Sequence, residues 1–412
     1  MSRMPELLQI SLGGDRPSTE AAAIERLRAI HRDRAGVDAE VVVRAPGRVN
    51  LIGEHLDYHG GPVLPAAISL AIYAAASRRD DGLRRLRSLD DPFEVETQPA
   101  GRGPSPDSMT LPRWALYPLG VVDCLEQRAP FPDGFDLTFV ATLPKQKGLS
   151  SSAALEVATA FALTELFGRH MERPALAVLV QEAETRASSV KVGIMDMLAI
   201  LSGRARCAVL IDCSNLTTRE VPLPTDEFAI VVCDSGKARS LSSVGYNRRR
   251  EESQEALDDL ERATGIAFVG RALTHEVLSA SAARLESKHR RRLAHIVSEC
   301  ERVKRCVAAL EARDMKAVAD LFVQSHRSLR FDYEVSTPEL DALVAIARDV
   351  HPLVAARLTG AGFGGSTVNL VPRVALERFL AEVPKAYAAK FPKGPACACT
   401  VVEATDGATR LS

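Results

Sequence analysis

The feature that most restricts the fold is a strand-like segment that passes through a glycine- and serine-rich loop into a long apolar segment, at residues 134–168. In its first part, Phe135, Leu137 and Phe139 alternate with polar residues, which predicts a strand buried on one face only. After the loop, the chain is rich in alanine and leucine, and a helix there is apolar on nearly every side. The pattern therefore predicts a strand, a tight loop and a helix that lies in the core.

The loop, GLSSSA at residues 148–153, lies where the predicted helix begins. The first N–H groups of a helix lack partners and carry the positive end of its dipole, so such a loop suits a phosphate group. Serine hydroxyls are also oxygen ligands of the kind that Mg²⁺ prefers. Helix capping is the alternative, but one serine suffices to cap a helix and this loop has three. We therefore favour a phosphate site.

A second glycine-rich loop, GAGFGG at residues 360–365, matches the G-x-G-x-x-G pattern of dinucleotide-binding proteins. That pattern must open a helix, whereas the segment STVNLV that follows favours a strand. The sequence also has no G-x-x-x-x-G-K-[ST], no H-R-D followed by D-F-G, no G-x-S-x-G and no H-E-x-x-H. The predicted strand argues against a Rossmann dinucleotide site, and the missing motifs argue against a P-loop NTPase and a protein kinase.

A third segment, RAPGRVNLIGEHLDYHGG at residues 44–61, packs polar side chains of several types into a short stretch. No amphipathic helix needs this mixture. Carboxylates and a histidine close to an arginine suit a ligand that is polyhydroxylated or charged. For His59, an ordinary loop histidine is the favoured interpretation. The sequence thus combines a phosphate loop with a motif suited to a sugar.

Composition excludes other classes. The 412 residues carry a net charge of −1, which gives no attraction for nucleic acid or an anionic membrane, and their number suggests two or three domains. The longest apolar run, residues 63–76, is shorter than the ~20 residues of a transmembrane helix, and the N-terminal segment lacks the apolar core of a signal peptide. The eight cysteines form no C-x-x-C pair, so we expect reduced thiols and a cytoplasmic location.

Helical and strand-like patterns occur in both halves, which predicts an α+β fold. We expect a helix capped by Ser18 and ending near Gly36, and in the second half a charged helix ending at Gly265. Residues 293–314 predict a helix whose apolar stripe is buried and whose charges face solvent. Further strands are expected at 41–45, 207–211 and 228–233, a further helix at 176–189, a loop at 90–107, and a segment at 63–79 that is β-rich or mixed. We expect the domain boundary after residue 220.

Six segments of this chain resemble, in order and spacing, those of the galactokinase branch of the GHMP kinases. They are GRVNLIGEHLDYHGG, WALYPLGV at Trp114, GLSSSAA, GIMDM at Gly193, SSVGYNRRREE at Ser242 and LTGAGFGG. The resemblance runs from about Val41 to the C-terminus. It implies two α+β domains with the active site in the cleft between them. Residues 1–220 would be similar to ribosomal protein S5 domain 2, and residues 221–412 would be ferredoxin-like.

Within that fold the resemblance places a galactose-binding signature at 41–68, a phosphate loop at 144–155, a catalytic segment at 181–203 and a third motif at 358–366. Asp196 matches the catalytic aspartate, the base for the sugar C1 hydroxyl, which is the most acidic hydroxyl of a sugar. Arg48 matches a catalytic arginine that would keep Asp196 ionised and stabilise the transferred phosphoryl group. Ser152 and Glu184 match ligands of Mg²⁺, although Glu184 also fits a solvated helix face.

Binding residues follow by the same resemblance. The expected sugar contacts are Glu54, His55, Leu56, Asp57, Gly193 and Tyr246. The expected ATP contacts are Gln146, Lys147, Gly148, Leu149, Ser150, Ser151 and Ser152. A site that hydrogen-bonds sugar hydroxyls rejects a sugar that lacks one, because buried polar groups are then left unpaired.

The resemblance therefore implies a cytoplasmic, monomeric galactokinase that phosphorylates D-galactose at C1 with Mg²⁺ and ATP, in the Leloir pathway. Three departures bear on this. Gln146 replaces a glycine of the family, Met197 replaces a glutamine beside the catalytic aspartate, and Ser366 replaces a common cysteine, which we expect to be harmless. Two alternatives stay open: a kinase for N-acetylgalactosamine or L-arabinose, and a sensor that binds galactose and ATP without catalysis. The intact phosphate loop argues against the sensor.

Overall fold

The structure is a computed structural model of the chain. It describes residues 19–89, 91, 94–97, 111–144, 147–188, 191–237, 242–265 and 273–412. The expected ATP contact Gln146, the expected cap Ser18 and most of the expected loop at 90–107 lie outside these ranges. The helices are α1 (Glu20–Ala35), α2 (Arg113–Arg128), α3 (Ser151–Leu166), α4 (Arg173–Ser188), α5 (Met195–Ser202), α6 (Ser242–Thr264), α7 (His275–Ser281), α8 (Ser287–Glu311), α9 (Met315–Phe331), α10 (Pro338–Val350) and α11 (Leu376–Lys390). The strands are β1 (Val41–Ile52), β2 (Pro62–Arg79), β3 (Arg84–Ser88), β4 (Val95–Thr97), β5 (Gly134–Ala141), β6 (Cys207–Asp212), β7 (Thr217–Pro222), β8 (Phe228–Asp234), β9 (Ala355–Thr359), β10 (Ser366–Pro372), β11 (Ala398–Val402) and β12 (Thr409–Arg410).

Within the described ranges, eight strands form the first sheet. Six follow the order β12-β1-β2-β5-β3-β4, and β6 pairs with β2 and with β7. The segment that the sequence left unresolved is the single long strand β2. Strand β1 pairs with it and shifts register between Pro46 and Arg48 and again between Asn50 and Ile52. Such irregularities bend a strand and redirect its side chains, and Arg48 lies between the two.

Strand β5 is buried on both faces, so the expectation of a half-buried strand was wrong. Asp136 and Thr138, which we expected to face solvent, are 1% and 0% exposed. Helix α1 covers that face, and His31 on α1 hydrogen-bonds to Thr138 and to Ser77 of β2. Alternating polar residues mark a solvent face only when no other layer packs there. The cap of α1 also differs from the expectation, because Thr19 accepts the hydrogen bond from the helix N-terminus.

Helix α3 is buried nearly all round, as its apolar composition predicted. It packs against β1 and β2 and contacts helices α2 and α4. Its N-terminus therefore points out of the core at the level of the phosphate loop. Apolar packing along the helix sets the position of this polar N-terminus.

Four strands form a second, antiparallel sheet in the order β11-β8-β10-β9 within the described residues. Helices α10 and α11 cover one face through Leu343 and Phe379, which pack with Val231. The opposite face, with Ile230 and Val232, belongs to the main core. Helices pack against both sheets, as expected for an α+β chain.

Helix α8 buries charges that we expected to face solvent. Glu299 is fully buried and Arg302 is 8% exposed. Glu299 accepts hydrogen bonds from Gly53 N at 3.0 Å, Arg302 Nε at 2.6 Å and Ser325 Oγ at 2.5 Å. Burial opposes ionisation, but the positive charges of Arg302 and its neighbours lower the pKa of Glu299 to about 2. The charged face of α8 thus ties the second half of the chain to the signature segment.

Three further observations complete the fold. Strand β4 lies inside the range 90–107 that we expected to be loop. The boundary expected after residue 220 stays a prediction, and strand β7 runs across it. Among the described residues, no helix combines the length and the apolar composition that a bilayer crossing needs.

Candidate active site

Arg48 and Asp196 meet where β1 approaches the start of α5. Arg48 Nε donates to Asp196 Oδ1 at 2.7 Å, and Arg48 Nη1 donates to the carbonyl of Gly148 at 2.8 Å. The arginine side chain is 6% exposed and the aspartate 28% exposed. A single buried guanidinium therefore joins the expected catalytic carboxylate to the phosphate loop, and the carboxylate keeps an open side.

Ser150 supplies a second link between the loop and Asp196. Its hydroxyl donates to Asp196 Oδ2 and makes no capping bond to α3. The residue has a φ of 58°, which is uncommon for a residue other than glycine. We expected Ser150 to contact ATP. The structure places its hydroxyl on the carboxylate, so both oxygens of Asp196 have donors.

The rest of the phosphate loop is held from both halves of the chain. Arg48 N donates to the carbonyl of Leu149 at 3.2 Å, and Ser366 Oγ donates to the carbonyl of Lys147 at 2.7 Å. The ammonium group of Lys147 forms an ion pair with Asp234 at the end of β8. Ser151 and Ser152 open helix α3. The loop backbone is thus held in place, and the side chain of Lys147 is paired with an aspartate of the second sheet.

Ser152 and Glu184, the expected metal ligands, are in contact. Ser152 Oγ donates to Glu184 Oε1 at 2.7 Å. Glu184 is buried, and burial together with the nearby charge of Asp196 raises its pKa to about 7. In the described residues, no group of three or more histidine, cysteine or acidic side chains is arranged to hold a metal. A hydroxyl and a carboxylate fit Mg²⁺, which takes one or two protein oxygens beside substrate phosphates.

Glu156 is a site residue that sequence reasoning missed. It lies one turn after Ser152 on α3 and is fully buried. Neither carboxylate oxygen has a hydrogen-bond partner within normal bonding distance. Burial and the charge of Glu184 raise its pKa well above the usual range, so the group is held neutral. A glutamate in the middle of an apolar helix was the available signal in the sequence.

Glu54 lies in a network that joins the signature to strand β9. Arg357 Nη1 donates to Glu54 Oε2 at 2.8 Å, and Gly360 N donates to Oε1 at 2.5 Å. Asn50 Nδ2 also donates to Oε2. The carboxylate is 2% exposed and Arg357 is fully buried. We expected Glu54 to contact sugar, and the structure gives it several protein partners. Arg357 is a second residue that the sequence did not single out.

His55 lies in a group of aromatic rings. It has a φ of 65°, and its Nδ1 bonds to the hydroxyl of Tyr58 at 2.8 Å. Its ring centre lies 5.8 Å from that of Tyr246 and 4.8 Å from that of Tyr333. The hydroxyls of Tyr58 and Tyr333 bond to each other at 2.9 Å. The expected contacts His55 and Tyr246 are therefore brought together, with Tyr333 as an addition.

Asp57 and Gly193 touch. A Cβ atom on Gly193 would lie 1.7 Å from Asp57 Oδ2, so no other residue fits at 193 without movement. Burial and the charge of Asp196 raise the pKa of Asp57 to about 6, although the N–H groups of Tyr58 and Met195 bind the carboxylate. The carboxylates of Asp57 and Asp196 are thus both close to the start of α5.

Two other residues of the signature, the expected sugar contact Leu56 and His59, are buried. Leu56 is fully buried in the core, and its carbonyl accepts from the N–H groups of His59 and Gly61. His59 is buried and bonds through Nε2 to Ser253 Oγ at 2.8 Å. Burial lowers the pKa of His59 to about 3, so the ring is neutral. The histidine is therefore part of the packing between the signature and α6.

Comparison with known proteins places this site in a family. The model described as the galactokinase galactose-binding signature matches residues 29–78, and the GHMP kinase N-terminal and C-terminal models match 117–204 and 306–389. A galactokinase of Roseiflexus sp. is 40% identical over 93% of this chain and 96% of its own length. The human galactokinase is 38% identical over 95% of this chain and 97% of its own. The chain belongs to the galactokinase family.

Solved structures agree with this membership. The galactokinase of Lactococcus lactis, determined in complex with galactose, has a TM-score of 0.87 and 31% identity, and the match covers 94% of this chain and 100% of that one. A mevalonate kinase at 17% identity has a TM-score of 0.60 and shows the fold alone. The expected α+β GHMP kinase fold of two domains is confirmed.

Two departures from the galactokinase pattern now have locations. Met197 is fully buried on α5 and packs in the core beside Leu198 and Leu201. Its side chain therefore does not lie on the solvent-exposed side of Asp196. Ser366 is fully buried, and its hydroxyl holds the carbonyl of Lys147. A cysteine at 366 would be a weaker donor, so this substitution adds a contact to the phosphate loop.

Proposed function

We propose that this chain phosphorylates D-galactose at C1, transferring the γ-phosphoryl group of ATP and releasing ADP and galactose 1-phosphate, the entry step of the Leloir pathway. The observation that carries the proposal is the Arg48–Asp196 pair, joined to the phosphate loop through Gly148 and Ser150. Phosphoryl transfer depends mainly on positioning and electrostatic stabilisation. This pair places a carboxylate and a fixed positive charge beside the loop that would hold the phosphates.

In this proposal Asp196 accepts the proton of the C1 hydroxyl as its oxygen attacks phosphorus. Arg48 holds the carboxylate through a hydrogen bond at 2.7 Å and stabilises the negative charge of the phosphoryl group in transit. Ser150, bonded to the second oxygen, holds the carboxylate plane in one orientation. Because Arg48 donates to both Asp196 and Gly148, the carboxylate of Asp196 and the phosphate loop are held at a constant distance from each other.

Mg²⁺ is proposed as the cofactor, with Ser152 and Glu184 as its protein ligands. When bound, it would neutralise phosphate charge and align the phosphates of ATP. The support is the donor set, a hydroxyl and a carboxylate in contact at 2.7 Å at the start of α3. The N–H groups of this helix start, with Ser151 among them, would bind the same phosphates. Lys147, held in place by its ion pair with Asp234, would add a positive charge beside the same phosphates.

Sugar recognition is assigned to the signature and to α6. Asp57, with its raised pKa and its position against Gly193, accepts hydrogen bonds from sugar hydroxyls. His55 and Tyr246 add ring surface and polar atoms to the same wall. Glu54 acts with Arg357 to hold the signature in shape, with any sugar contact made at the edge of that network. A sugar lacking a recognised hydroxyl would leave these groups unpaired.

The deciding experiment measures ADP release with Mg-ATP and five sugars: D-galactose, D-glucose, N-acetyl-D-galactosamine, L-arabinose and 2-deoxy-D-galactose. We expect turnover with galactose to exceed that with glucose by orders of magnitude. Turnover with N-acetylgalactosamine or L-arabinose instead would keep the mechanism and change the substrate. Galactose binding without turnover would identify a sensor. Removal of divalent cations with EDTA is expected to stop turnover, and added Mg²⁺ to restore it.

We also propose that the enzyme works in the cytoplasm as a monomer. All eight cysteines are free thiols, as expected in a reducing compartment. Large apolar side chains that are more than a third exposed are few among the described residues, with Val374 and Phe331 the most exposed. Sedimentation equilibrium at micromolar concentration is expected to give the monomer mass of 44.5 kDa.

A further inference from the structure

Three of the eight thiols form a cluster on the second sheet. Cys233 on β8 and Cys399 on β11 are directly opposed across the antiparallel pair, with their sulfur atoms 3.0 Å apart. Cys397 Sγ lies 3.9 Å from Cys399 Sγ. We call these three residues the thiol cluster. None of the catalytic roles proposed above uses it.

The cluster combines a buried thiol with more accessible ones. Cys233 is 1% exposed, whereas Cys397 and Cys399 are half-buried. Cys399 lies on β11, which is an edge strand of the sheet. Thiols of Cys233 and Cys397 that donate to Cys399 stabilise its thiolate and lower its pKa, while burial raises the pKa of Cys233. Cys399 is therefore the nucleophile of the cluster, because reactivity follows the thiolate and its access.

The cluster is one residue away from a contact of the phosphate loop. Asp234 follows Cys233 and forms the ion pair with Lys147. The next residue, Ser235, donates through Oγ to the carbonyl of Gly365 at 2.7 Å, and its own carbonyl accepts from Tyr387 at 2.8 Å. The end of β8 thus connects the thiol cluster to one side of the phosphate loop. A change in the spacing of β8 and β11 at this level is transmitted to Lys147.

We propose that the thiol cluster is a site of reversible oxidation, in which Cys399 and Cys233 form a disulfide that weakens ATP binding through the Asp234–Lys147 pair. The oxidant class is a hydroperoxide. The Cys399 thiolate attacks the peroxide, giving a sulfenic acid and releasing an alcohol, or water when the oxidant is hydrogen peroxide. The Cys233 thiol then displaces water from that sulfenic acid. Overall, two thiols and one hydrogen peroxide give one disulfide and two waters.

The mechanical consequence follows from general geometry. Opposed residues of an antiparallel pair have Cβ atoms about 4.5–5.5 Å apart. A disulfide draws them to about 3.8 Å. Strand β8 would therefore move toward β11 at Cys233, and Asp234 would move with it. Since the partner lysine belongs to the phosphate loop, the expected effect is on ATP affinity, with galactose affinity unchanged.

The test treats the reduced full-length protein with hydrogen peroxide and maps its peptides without reduction. We expect a Cys233–Cys399 link that dithiothreitol removes, and a dissociation constant for Mg-ATP raised about fivefold, the effect of losing one partly exposed ion pair. Cys399→Ser should prevent both changes, with Cys399→Ala as a second variant. Cys207→Ser, a half-buried thiol on β6, is the matched control and should respond like the wild type.

An independent arm uses Asp234→Asn, which should lower ATP affinity in the reduced protein by a similar factor and make it insensitive to peroxide. A Cys397–Cys399 link, no intramolecular link, or a link without change in ATP affinity would overturn the proposal. The activity consequence rests on the proposed function, but mapping and ATP titration do not need turnover. A chain that forms the link and loses ATP affinity, yet phosphorylates no sugar, would therefore refute the galactokinase proposal and leave this one intact.

Discussion

Arg48 and Asp196 are separated by 148 positions in the chain and are joined by a 2.7 Å hydrogen bond. The arginine lies between two register shifts of β1, and the aspartate lies in the first turn of α5. Two elements of the first sheet's domain thus fix the geometry of the proposed catalytic pair. The guanidinium reaches the phosphate loop as well, so the pair is part of a three-way contact.

The first prediction concerns this pair. Asp196→Asn should lower kcat by about 10²–10⁴-fold, because the amide cannot accept the C1 proton. Arg48→Lys should lower kcat by a similar order, because a lysine cannot donate to Asp196 and Gly148 in the same fork. Steady-state kinetics checks both, with galactose binding measured separately by calorimetry and expected to change little. Arg186→Lys, on the exposed side of α4, is the control. Near-normal kcat in Asp196→Asn would contradict the role of the carboxylate as base.

The second prediction concerns Arg357, which holds Glu54 from strand β9. Arg357→Lys should raise KM for galactose about tenfold and leave KM for ATP unchanged, because a charged hydrogen bond to the signature is lost. The variant will also be less stable, so a matched control is needed. Arg87→Lys changes another buried arginine, on strand β3, which pairs with Glu94 and Asp136. Equal rises in KM for both variants would show that stability alone is responsible.

The third prediction concerns the pH dependence of sugar binding. The pKa of Asp57 is raised to about 6, so the carboxylate is ionised above that pH and protonated below it. The protonated group is a poorer acceptor for sugar hydroxyls. Galactose affinity should be constant above pH 7 and fall as pH drops through 6, by up to about tenfold per unit. The charge of Asp196 raises the pKa of Asp57, and the charge of Arg250 lowers it.

Isothermal titration of galactose without nucleotide, from pH 5 to 8, checks this expectation. Asp57→Asn should bind more weakly and show a flat profile over the same range. If the variant retained the wild-type pH dependence, the titrating group would be another residue. Omitting nucleotide keeps the phosphates of ATP out of the measurement, because they titrate in the same range.

The fourth prediction concerns stability in acid. Burial lowers the pKa of His31 to about 4, and its ring bonds to Thr138 and Ser77 in the neutral form. The unfolded chain binds a proton near pH 6.5, so it holds more protons than the native state between pH 6.5 and 4. The free energy of unfolding should therefore fall over that window, by up to about 3 kcal/mol from this histidine.

Urea unfolding at a series of pH values measures this slope. His31→Gln keeps a donor and an acceptor at the site but cannot titrate, so its stability should decline less between pH 6.5 and 4. The control is His170→Gln, whose ring is 79% exposed. A slope in His31→Gln equal to that of the wild type would assign the acid sensitivity to other buried histidines, such as His295 and His59.

The sequence predicted the parts of the site that short motifs encode. Arg48 and Asp196 are joined as their proposed roles require, and so are Ser152 and Glu184. Helix α3 was predictable because its apolar residues leave no solvent face. Local patterns of this kind depend only on neighbours along the chain, which is why they can be read without a structure.

What the sequence could not show depends on contacts between distant segments. The polar face of β5 is buried because α1 covers it, and the charges of α8 are buried because Gly53, Ser325 and Arg302 satisfy Glu299. Arg357 looks like any strand residue until Glu54 is placed beside it. The hydroxyl of Ser150 faces the carboxylate only because its backbone is left-handed. In each case the deciding contact comes from a residue far away in the sequence or depends on the backbone conformation.

The order of the first sheet also has a bearing on how the chain folds during synthesis. Strand β12 pairs with the outer edge of β1, and Leu411 and Ser412 add hydrogen bonds to Val42. The roughly 200 residues between β6 and β12 take on the order of 10–40 s to translate. During that time the nascent first domain presents the β1 edge to other chains, which is the kind of surface that recruits strands and starts aggregation. A chain that ended before β12 would therefore carry every residue of the proposed catalytic site with this edge still open.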